Sequence, residues 1–182
     1  MKKWEIKETE TLLKTPIGCF NTTRKIDPAG IERKYISMKA PDWVCAIVRT
    51  REKEKEFIMV KQFRHGINKE VVEFPSGMVD EGESAIHALK RELDEELGIK
   101  EENILNVREL YKASPNPAFM ENSMTCYLVD VNGHGESRPD EDEFLETVYA
   151  TQAEVEKIVV SDDYNVMMRL AWEHAKLTEM ID

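Results

Sequence analysis

Short runs of alternating polar and apolar residues dominate the start of the chain. Over residues 3–39 they follow the period of two that is typical of half-buried β-strands. The runs are interrupted at residues 27–30, where Pro28 favours the second position of a turn and Gly30 tolerates a positive φ. The pattern predicts up to three antiparallel strands, which form a small separate sheet ahead of the main domain.

Stronger strand signals follow, separated by polar segments. The charged residues 51–56 predict the hairpin turn between the first two of these strands, and a polar acidic loop at residues 132–143 separates the last two. The predicted strands are residues 43–48, 57–60, 71–74, 105–112, 123–131 and 144–150.

A helical pattern interrupts this series of strands. In residues 83–97 four apolar positions recur at spacings of three and four, which predicts a helix with one buried stripe. Gly98 is suited to end this helix because glycine readily adopts the left-handed conformation that follows many helices. The four apolar positions are Ile86, Leu89, Leu93 and Leu97.

The C-terminal region predicts two further helices. Residues 152–159 are expected to form a short helix, and residues 162–178 a terminal helix with Ser161 as its N-cap. The residues predicted to face inward from the terminal helix are Val166, Leu170 and Leu177. Because strands and helices are mixed along the chain, we predict the α+β fold class.

The length and composition are those of a globular protein. The 182 residues suit one domain with a small appendage, and the 41% of hydrophobic residues can supply a core. We therefore assign residues 1–40 to the N-terminal β region and residues 41–182 to the main domain.

The charge balance excludes some partners. The formal net charge of −11 disfavours non-specific binding to nucleic acid, which depends on Lys and Arg neutralising phosphates, and it disfavours an anionic membrane surface. A small anionic substrate remains compatible with this charge if cations and a local basic patch offset the repulsion. The N-terminus has no signal-peptide pattern, and no segment has the length of a transmembrane helix, so we expect a cytoplasmic protein.

The cysteines indicate no metal or redox site. Cys19, Cys45 and Cys126 are odd in number, lie far apart and match no metal-ligand spacing. We expect them to be buried or partly buried reduced thiols.

Three glutamates carry the main chemical signal. Glu92, Glu95 and Glu96 have the spacing that brings carboxylates together on one side of a helix. Like charges in this arrangement destabilise the helix by about 0.2–0.5 kcal/mol per pair. A divalent cation reverses this balance, because Mg²⁺ binds oxygen ligands and completes its shell with water and phosphate. The alternative is a solvated acidic helix face.

The wider spacing around these glutamates resembles a known family. Gly77 is followed after five residues by Glu83, and after seven more by Arg91-Glu92-Leu93, with Glu95-Glu96 and Gly98-Ile99 completing the stretch. This is similar, position by position, to the Nudix signature. Motifs outside it resemble the ADP-ribose pyrophosphatase branch of the family: residues 61–64, 73–77, 79–84 and 140–144, the N-terminal β region, and Pro115 at 16 residues past the signature.

The resemblance implies an α/β/α sandwich and a metal-dependent hydrolysis. The substrate that the resemblance implies first is ADP-ribose, a small nucleoside diphosphate, which is cleaved to AMP and ribose 5-phosphate. The implied cofactor is Mg²⁺, with Mn²⁺ as a substitute. The residues implied as metal ligands are Glu92, Glu95, Glu96 and the backbone carbonyl of Ser76.

The resemblance also assigns roles to residues beyond the metal ligands. Glu143 matches the position of the water-activating residue, with Glu141 in reserve; Glu95 is also a catalytic candidate, and Arg91 orients its acidic neighbours. The implied substrate-binding residues are Arg64 and Lys61 for phosphate, Trp4 and Tyr35 for a stacked base, and Glu73 and Pro115. Because the N-terminal β region of the family is often exchanged between subunits, the resemblance implies a homodimer.

Other functions remain open at this point. Residues 114–118 read Ser-Pro-Asn-Pro-Ala, whereas the branch usually has glycine after Ser-Pro, and two prolines stiffen this loop. GDP-mannose or another nucleotide sugar is therefore an alternative substrate. A nucleotide-sugar sensing module is an alternative of another class, disfavoured by the complete acidic cluster. RNA decapping is disfavoured by the net charge of −11.

Overall fold

The computed structural model describes residues 3–50, 57–133, 144–178 and 180–181. Its helices are α1 (Ala85–Leu97), α2 (Gln152–Val159) and α3 (Val166–Leu177), with a 3₁₀ turn at Glu101–Asn103. Its strands are β1 (Glu5–Thr15), β2 (Gly18–Ile26), β3 (Glu32–Lys39), β4 (Trp43–Thr50), β5 (Phe57–Arg64), β6 (Lys69–Glu73), β7 (Ser76–Met78), β8 (Ile104–Ala113), β9 (Met124–Val131) and β10 (Glu146–Ala150).

The first three strands form the small antiparallel sheet that the alternation predicts. They lie in the order β1-β2-β3, and the turn between β2 and β3 falls at the predicted residues. There the carboxylate of Asp27 accepts hydrogen bonds from the backbone N–H groups of Ala29 and Ile31, and Gly30 has a φ of 88°. This side-chain bonding stabilises the tight return of the chain.

A later segment belongs to the same compact unit as this sheet. The chain up to Asp42 groups with Ala113–Ser123, and a parallel bridge joins Met38 to Met120. The predicted division at residue 40 assigns this later segment to the main domain, and that division stays a prediction about which parts fold on their own.

The second compact unit contains the larger sheet and all three helices. It comprises Trp43–Lys112 and Met124–Asp182, and its sheet has the order β10-β5-β4-β9-β8, with β6 paired to β5 and β7 paired to β4. Strands β4 and β9 are parallel, whereas β4 is antiparallel to both β5 and β7.

Helices cover both faces of this sheet. Leu89, Leu93 and Leu97 of α1 are buried in one core with β4 residues such as Ala46. On the opposite face, the buried Trp172 of α3 packs edge-on against Phe57 with ring centroids 5.1 Å apart. The predicted α+β class and α/β/α sandwich are confirmed.

Helix α1 begins slightly later than the sequence pattern predicts. Ser84 is the N-cap and its side chain accepts a hydrogen bond from the backbone N–H of His87, so Glu83 lies just before the helix. The predicted end is correct, because Gly98 has a left-handed φ of 62° and donates to backbone carbonyls of the last turn.

The predicted inner face of the terminal helix is wrong. Helix α3 begins after the N-cap Asn165, and Val166 and Leu177 are 70% and 84% exposed. Its buried residues are Met167, Met168, Ala171, Trp172 and Ala175. Two adjacent stripes of this helix both have apolar residues at spacings of three and four. The stripe that contains Met and Trp is the buried one, because these side chains have the larger apolar surface to remove from water. No helix in the described ranges has the length and apolar character that a membrane crossing requires.

Candidate active site

A strand of only three residues places the start of the signature beside helix α1. Strand β7 pairs antiparallel with β4, so that Ser76 lies opposite Cys45 and Gly77 lies opposite Val44. Such a short strand has no detectable period in the sequence. Consecutive residues of β7 contact two of the three predicted glutamates, Glu96 and Glu92.

Glu96 is anchored to β7 by a hydrogen bond. The backbone N–H of Ser76 donates to Oε2 of Glu96 over 3.1 Å, and Glu96 is only 3% exposed although it carries a carboxylate. A buried carboxylate is unfavourable unless hydrogen bonds or a cation compensate it. Its burial therefore indicates a role other than solubility.

Glu92 lies directly against Gly77. A Cβ added to Gly77 would lie 1.8 Å from Cδ of Glu92, far closer than two non-bonded carbon atoms can approach. The φ of Gly77 lies outside the left-handed range that favours glycine. The residue is therefore required because a side chain would not fit there, and not because of its backbone conformation. The missing side chain leaves a cradle that the Glu92 carboxylate occupies.

Arg91 binds the remaining acidic residues of the cluster. Its Nη1 donates to Glu92 Oε1 at 2.8 Å and to Glu95 Oε2 at 3.0 Å. Its Nη2 donates to the carbonyl of Met78 at 2.8 Å and to Glu83 Oε2 at 3.2 Å. One guanidinium therefore joins β7, the segment before α1 and the helix itself.

These contacts alter the pKa values of both partners. Burial acts to lower the pKa of Arg91, but the hydrogen bond to Glu83 and the charge and hydrogen bond of Glu92 outweigh it and raise that pKa above its ordinary value. The hydrogen bond from Arg91 lowers the pKa of Glu83 below 4.5. Both groups therefore stay charged at neutral pH, which suits the predicted orienting role of Arg91.

The donor set of this cluster fits a hard divalent cation. Carboxylate oxygens and a backbone carbonyl are the ligands that Mg²⁺ prefers, and the cradle at Gly77 leaves room for a carboxylate close to the strand. Among the residues that the structure describes, no three acidic, histidine or cysteine side chains are already gathered at ligand distances. Glu92 and Glu95 instead point to Arg91, which balances their charge.

Two predicted phosphate-binding cations lie on β5. Arg64 pairs with the buried Glu73 of the neighbouring strand β6 and stays 42% exposed. Lys61 pairs with Glu70 and Glu146, and the hydrogen bond that its ammonium group donates to Glu70 raises its pKa above 10.5. Glu73 was predicted as a substrate-binding residue, yet it is 3% exposed.

Three of the predicted substrate-binding residues belong to the first compact unit. The rings of Trp4 and Tyr35 contact each other edge to face, with centroids 5.5 Å apart and planes at 80°. A base stacked between the two rings requires them to be parallel and farther apart, so Trp4 and Tyr35 would have to separate to bind a base in this way. Pro115 is half-buried, and the carbonyl of Asn116 accepts the backbone N–H groups of Phe119 and Met120, which closes the turn after it.

The predicted water-activating residues cannot be placed. Glu141 and Glu143 lie outside the described residues, as does most of the predicted acidic loop. Their assignment stays a prediction.

Sequence reasoning missed two features of the cluster. The carbonyl of Met78 anchors Arg91, but a backbone atom leaves no signal in residue types. Glu83 pairs with Arg91 across the start of the helix, and only the fixed spacing of the signature pointed to it.

Comparisons with known proteins identify the family to which this chain belongs. Residues 40–170 match the family model described as the NUDIX domain. The chain is 29% identical over 157 residues to the ADP-ribose pyrophosphatase of Bacillus subtilis (strain 168), which covers 85% of this chain and 82% of that protein. It is 31% identical over 149 residues to the ADP-sugar pyrophosphatase of Mus musculus, which covers 71% of this chain and 65% of that protein.

A solved structure shares the fold along the whole chain. The structure described as an ADP compounds hydrolase superposes with a TM-score of 0.77 at 20% identity, and the match covers 100% of this chain and 98% of the other.

Proposed function

Since this chain belongs to the Nudix family and is a Nudix hydrolase, we propose that it hydrolyses the pyrophosphate of a nucleotide sugar, with ADP-ribose as the preferred substrate and Mg²⁺ as the cofactor. The products are AMP and ribose 5-phosphate. The observation that carries the proposal is that Ser76 and Gly77, consecutive in β7, contact the carboxylates of Glu96 and Glu92 respectively. The names of the Bacillus and mouse relatives support the substrate class.

The acidic cluster holds the cation in this proposal. Glu92, Glu96 and the carbonyl of Ser76 are the ligands, with Glu95 as a further ligand. A bound divalent cation neutralises charge on the pyrophosphate and on the leaving group. Arg91 keeps Glu92 and Glu95 from repelling each other before the cation binds, because its Nη1 contacts both carboxylates. Mn²⁺ can replace Mg²⁺, because both accept carboxylate and carbonyl oxygens.

Two kinds of residue complete the reaction centre. Arg64, whose side chain is partly exposed, binds phosphate oxygens through its guanidinium, and Lys61 adds positive charge to the same strand. Glu143 accepts a proton from the attacking water, with Glu141 as the alternative base. This assignment rests on the resemblance of the acidic loop to that of related pyrophosphatases.

The family resemblance supplies the proposed binding residues for the rest of the substrate. Trp4 and Tyr35 present aromatic surface for the base, and they are 51% and 38% exposed. Pro115 contributes to the loop that contacts the sugar. We further propose a cytoplasmic homodimer that acts on a small molecule and binds neither nucleic acid nor a membrane.

One observation favours a second substrate. The loop after Pro115 carries Asn116 and Pro117, and Asn116 closes a turn through its own carbonyl and side chain. A rigid loop of this kind selects the sugar by shape, so GDP-mannose or another nucleotide sugar is the alternative. A sensing module without catalysis would not need the charge repulsion among Glu92, Glu95 and Glu96.

A product assay tests the proposal directly. Purified protein with Mg²⁺ is incubated with ADP-ribose, GDP-mannose, UDP-glucose and NADH, and chromatography separates the nucleoside monophosphates from the substrates. We expect AMP from ADP-ribose at the highest rate and no product after chelation of the metal. Faster release of GMP from GDP-mannose would replace the substrate but keep the chemistry. If no product forms from any of the four substrates with either Mg²⁺ or Mn²⁺, the result would favour the sensing module.

A further inference from the structure

A buried carboxylate lies next to the proposed phosphate-binding arginine. Glu73 is the last residue of β6 and lies opposite Val60 of β5, a residue of the core that packs against α1. It is 3% exposed. A side chain this enclosed has almost no surface left with which to contact a substrate.

Arg64 gives this carboxylate its partner. Nε of Arg64 donates to Oε1 of Glu73 at 2.5 Å, and Nη2 contacts the same oxygen. Nη2 also lies 3.4 Å from Oγ of Ser76, whose backbone N–H holds Glu96. One edge of the guanidinium is therefore fixed inside the protein, next to the strand that anchors a proposed metal ligand.

Stability alone does not account for this pair. Burial raises the pKa of Glu73, and the charge of Arg64 only partly opposes that effect. Apolar residues of similar volume often replace a buried ion pair without loss of stability. A requirement for a fixed guanidinium does account for it, because an arginine on a surface strand otherwise samples many rotamers.

We propose that Glu73 is a positioning residue, which orients the guanidinium of Arg64 toward the phosphates of the substrate and does not touch the substrate itself. This inference rests on the proposed function and deepens it. It also gives Glu73 a different role from the direct substrate contact that the sequence suggests.

A double-mutant cycle tests the inference. The variants are Glu73→Gln, Arg64→Ala and the double variant, with KM and kcat measured for ADP-ribose. We expect Glu73→Gln to raise KM about tenfold while kcat changes less than about threefold, because a neutral amide holds the guanidinium less firmly than a carboxylate does and the contact with phosphate is made equally in the ground and transition states. In the Arg64→Ala background the same substitution should leave KM unchanged, because Glu73 then has nothing to orient. An equal rise of KM in both backgrounds would overturn the inference.

A matched control separates positioning from loss of stability. Asp130→Asn removes the carboxylate of another enclosed pair, in which Arg49 and Asp130 are 14% and 13% exposed. Arg49 of β4 lies opposite Asp130 of β9, so this ion pair joins the two strands. We expect it to lower Tm without raising KM, and Glu73→Asp to recover part of the affinity that Glu73→Gln loses. If KM rises as much in Asp130→Asn as in Glu73→Gln, a loss of stability is enough to raise KM, and the positioning role of Glu73 is overturned.

A second readout does not depend on catalysis. The Nε–H resonance of Arg64, assigned by its disappearance in Arg64→Ala, should shift in Glu73→Gln, and the Kd for inorganic pyrophosphate without metal should rise about tenfold. If the wild type cleaves no nucleotide sugar, the proposed function fails while these measurements still judge Glu73. An unchanged resonance and an unchanged Kd would overturn the positioning role even in an active enzyme.

Discussion

The backbone N–H of Ser76 donates a hydrogen bond to Oε2 of Glu96 over 3.1 Å, and it thereby joins strand β7 to the last turn of helix α1. The two residues are 20 positions apart in the chain. Because a neutral amide oxygen can accept the same hydrogen bond, the charge of Glu96 can be removed with little change in shape.

Glu96→Gln should separate catalysis from folding. We expect the variant to keep its Tm within about 4 °C, since the hydrogen bond from Ser76 remains. Its kcat/KM with Mg²⁺ should fall at least about 100-fold, because a neutral amide is a poor ligand for a hard cation. The control Glu102→Gln removes an exposed carboxylate after the helix. Turnover near the wild-type rate would show that Glu96 is not a metal ligand.

Gly77→Ala should damage the cluster through space alone. The new Cβ would overlap the Glu92 carboxylate, which must then leave its cradle. We expect the Mg²⁺ concentration for half-maximal activity to rise at least about tenfold. Gly66→Ala is the matched control, because a Cβ at Gly66 meets nothing within 4 Å and no positive φ is present there. Similar metal dependence of both variants would contradict the cradle.

Arg91→Gln should destabilise the protein when no metal is present. The substitution removes the cation that contacts Glu83, Glu92 and Glu95, so we expect urea unfolding to show a loss of about 1–3 kcal/mol. The control Lys90→Gln removes a pair with the exposed Glu101 and should cost less than about 1 kcal/mol. Equal losses in the two variants would mean that Arg91 makes only surface ion pairs.

The buried thiol of Cys45 should make stability depend on alkaline pH. The hydrogen bond with Cys126 is the largest cause, and burial the second, that raises the pKa of Cys45 well above its ordinary value of 9.0. The unfolded chain therefore releases this proton first, and the free energy of unfolding falls as pH rises above 9.0. The expected slope from this thiol approaches about 1.4 kcal/mol per pH unit.

Urea unfolding between pH 8 and about pH 10, the ordinary pKa of tyrosine, measures this slope before the tyrosines contribute. Cys45→Ala should flatten the dependence, whereas Cys19→Ala, which removes a thiol outside the core, should keep it. A wild-type slope in Cys45→Ala would show that other groups cause the alkaline loss of stability.

The three cysteines should react in two groups. Cys45 and Cys126 are 0% exposed and lie in register on β4 and β9, whereas Cys19 is partly exposed. We expect an aromatic disulfide reagent to modify Cys19 in the native protein and all three thiols in denaturant, as measured by intact mass. Rapid modification of Cys45 in native buffer would mean that this part of the sheet opens readily.

Local patterns in the sequence predicted much of the fold. The stripe of Leu89, Leu93 and Leu97 defined helix α1, and Gly98 defined its end, because both depend only on residues within a few turns of each other. The same reasoning failed for α3, where Val166 starts an exposed stripe and Met167 starts the buried one. Adjacent stripes share the helical period, and only packing against the sheet distinguishes them.

The sequence by itself determined which residue types occur at which spacing, and hence the family, the acidic cluster and the class of reaction. Only the tertiary structure decided that Glu96 is buried on the N–H of Ser76, that Gly77 leaves space for Glu92, and that Glu73 is enclosed behind Arg64. The reason is physical. Spacing along one helix repeats every 3.6 residues and can be read locally, whereas a contact between a strand and a helix depends on how distant segments pair, for which the chain carries no periodic signal.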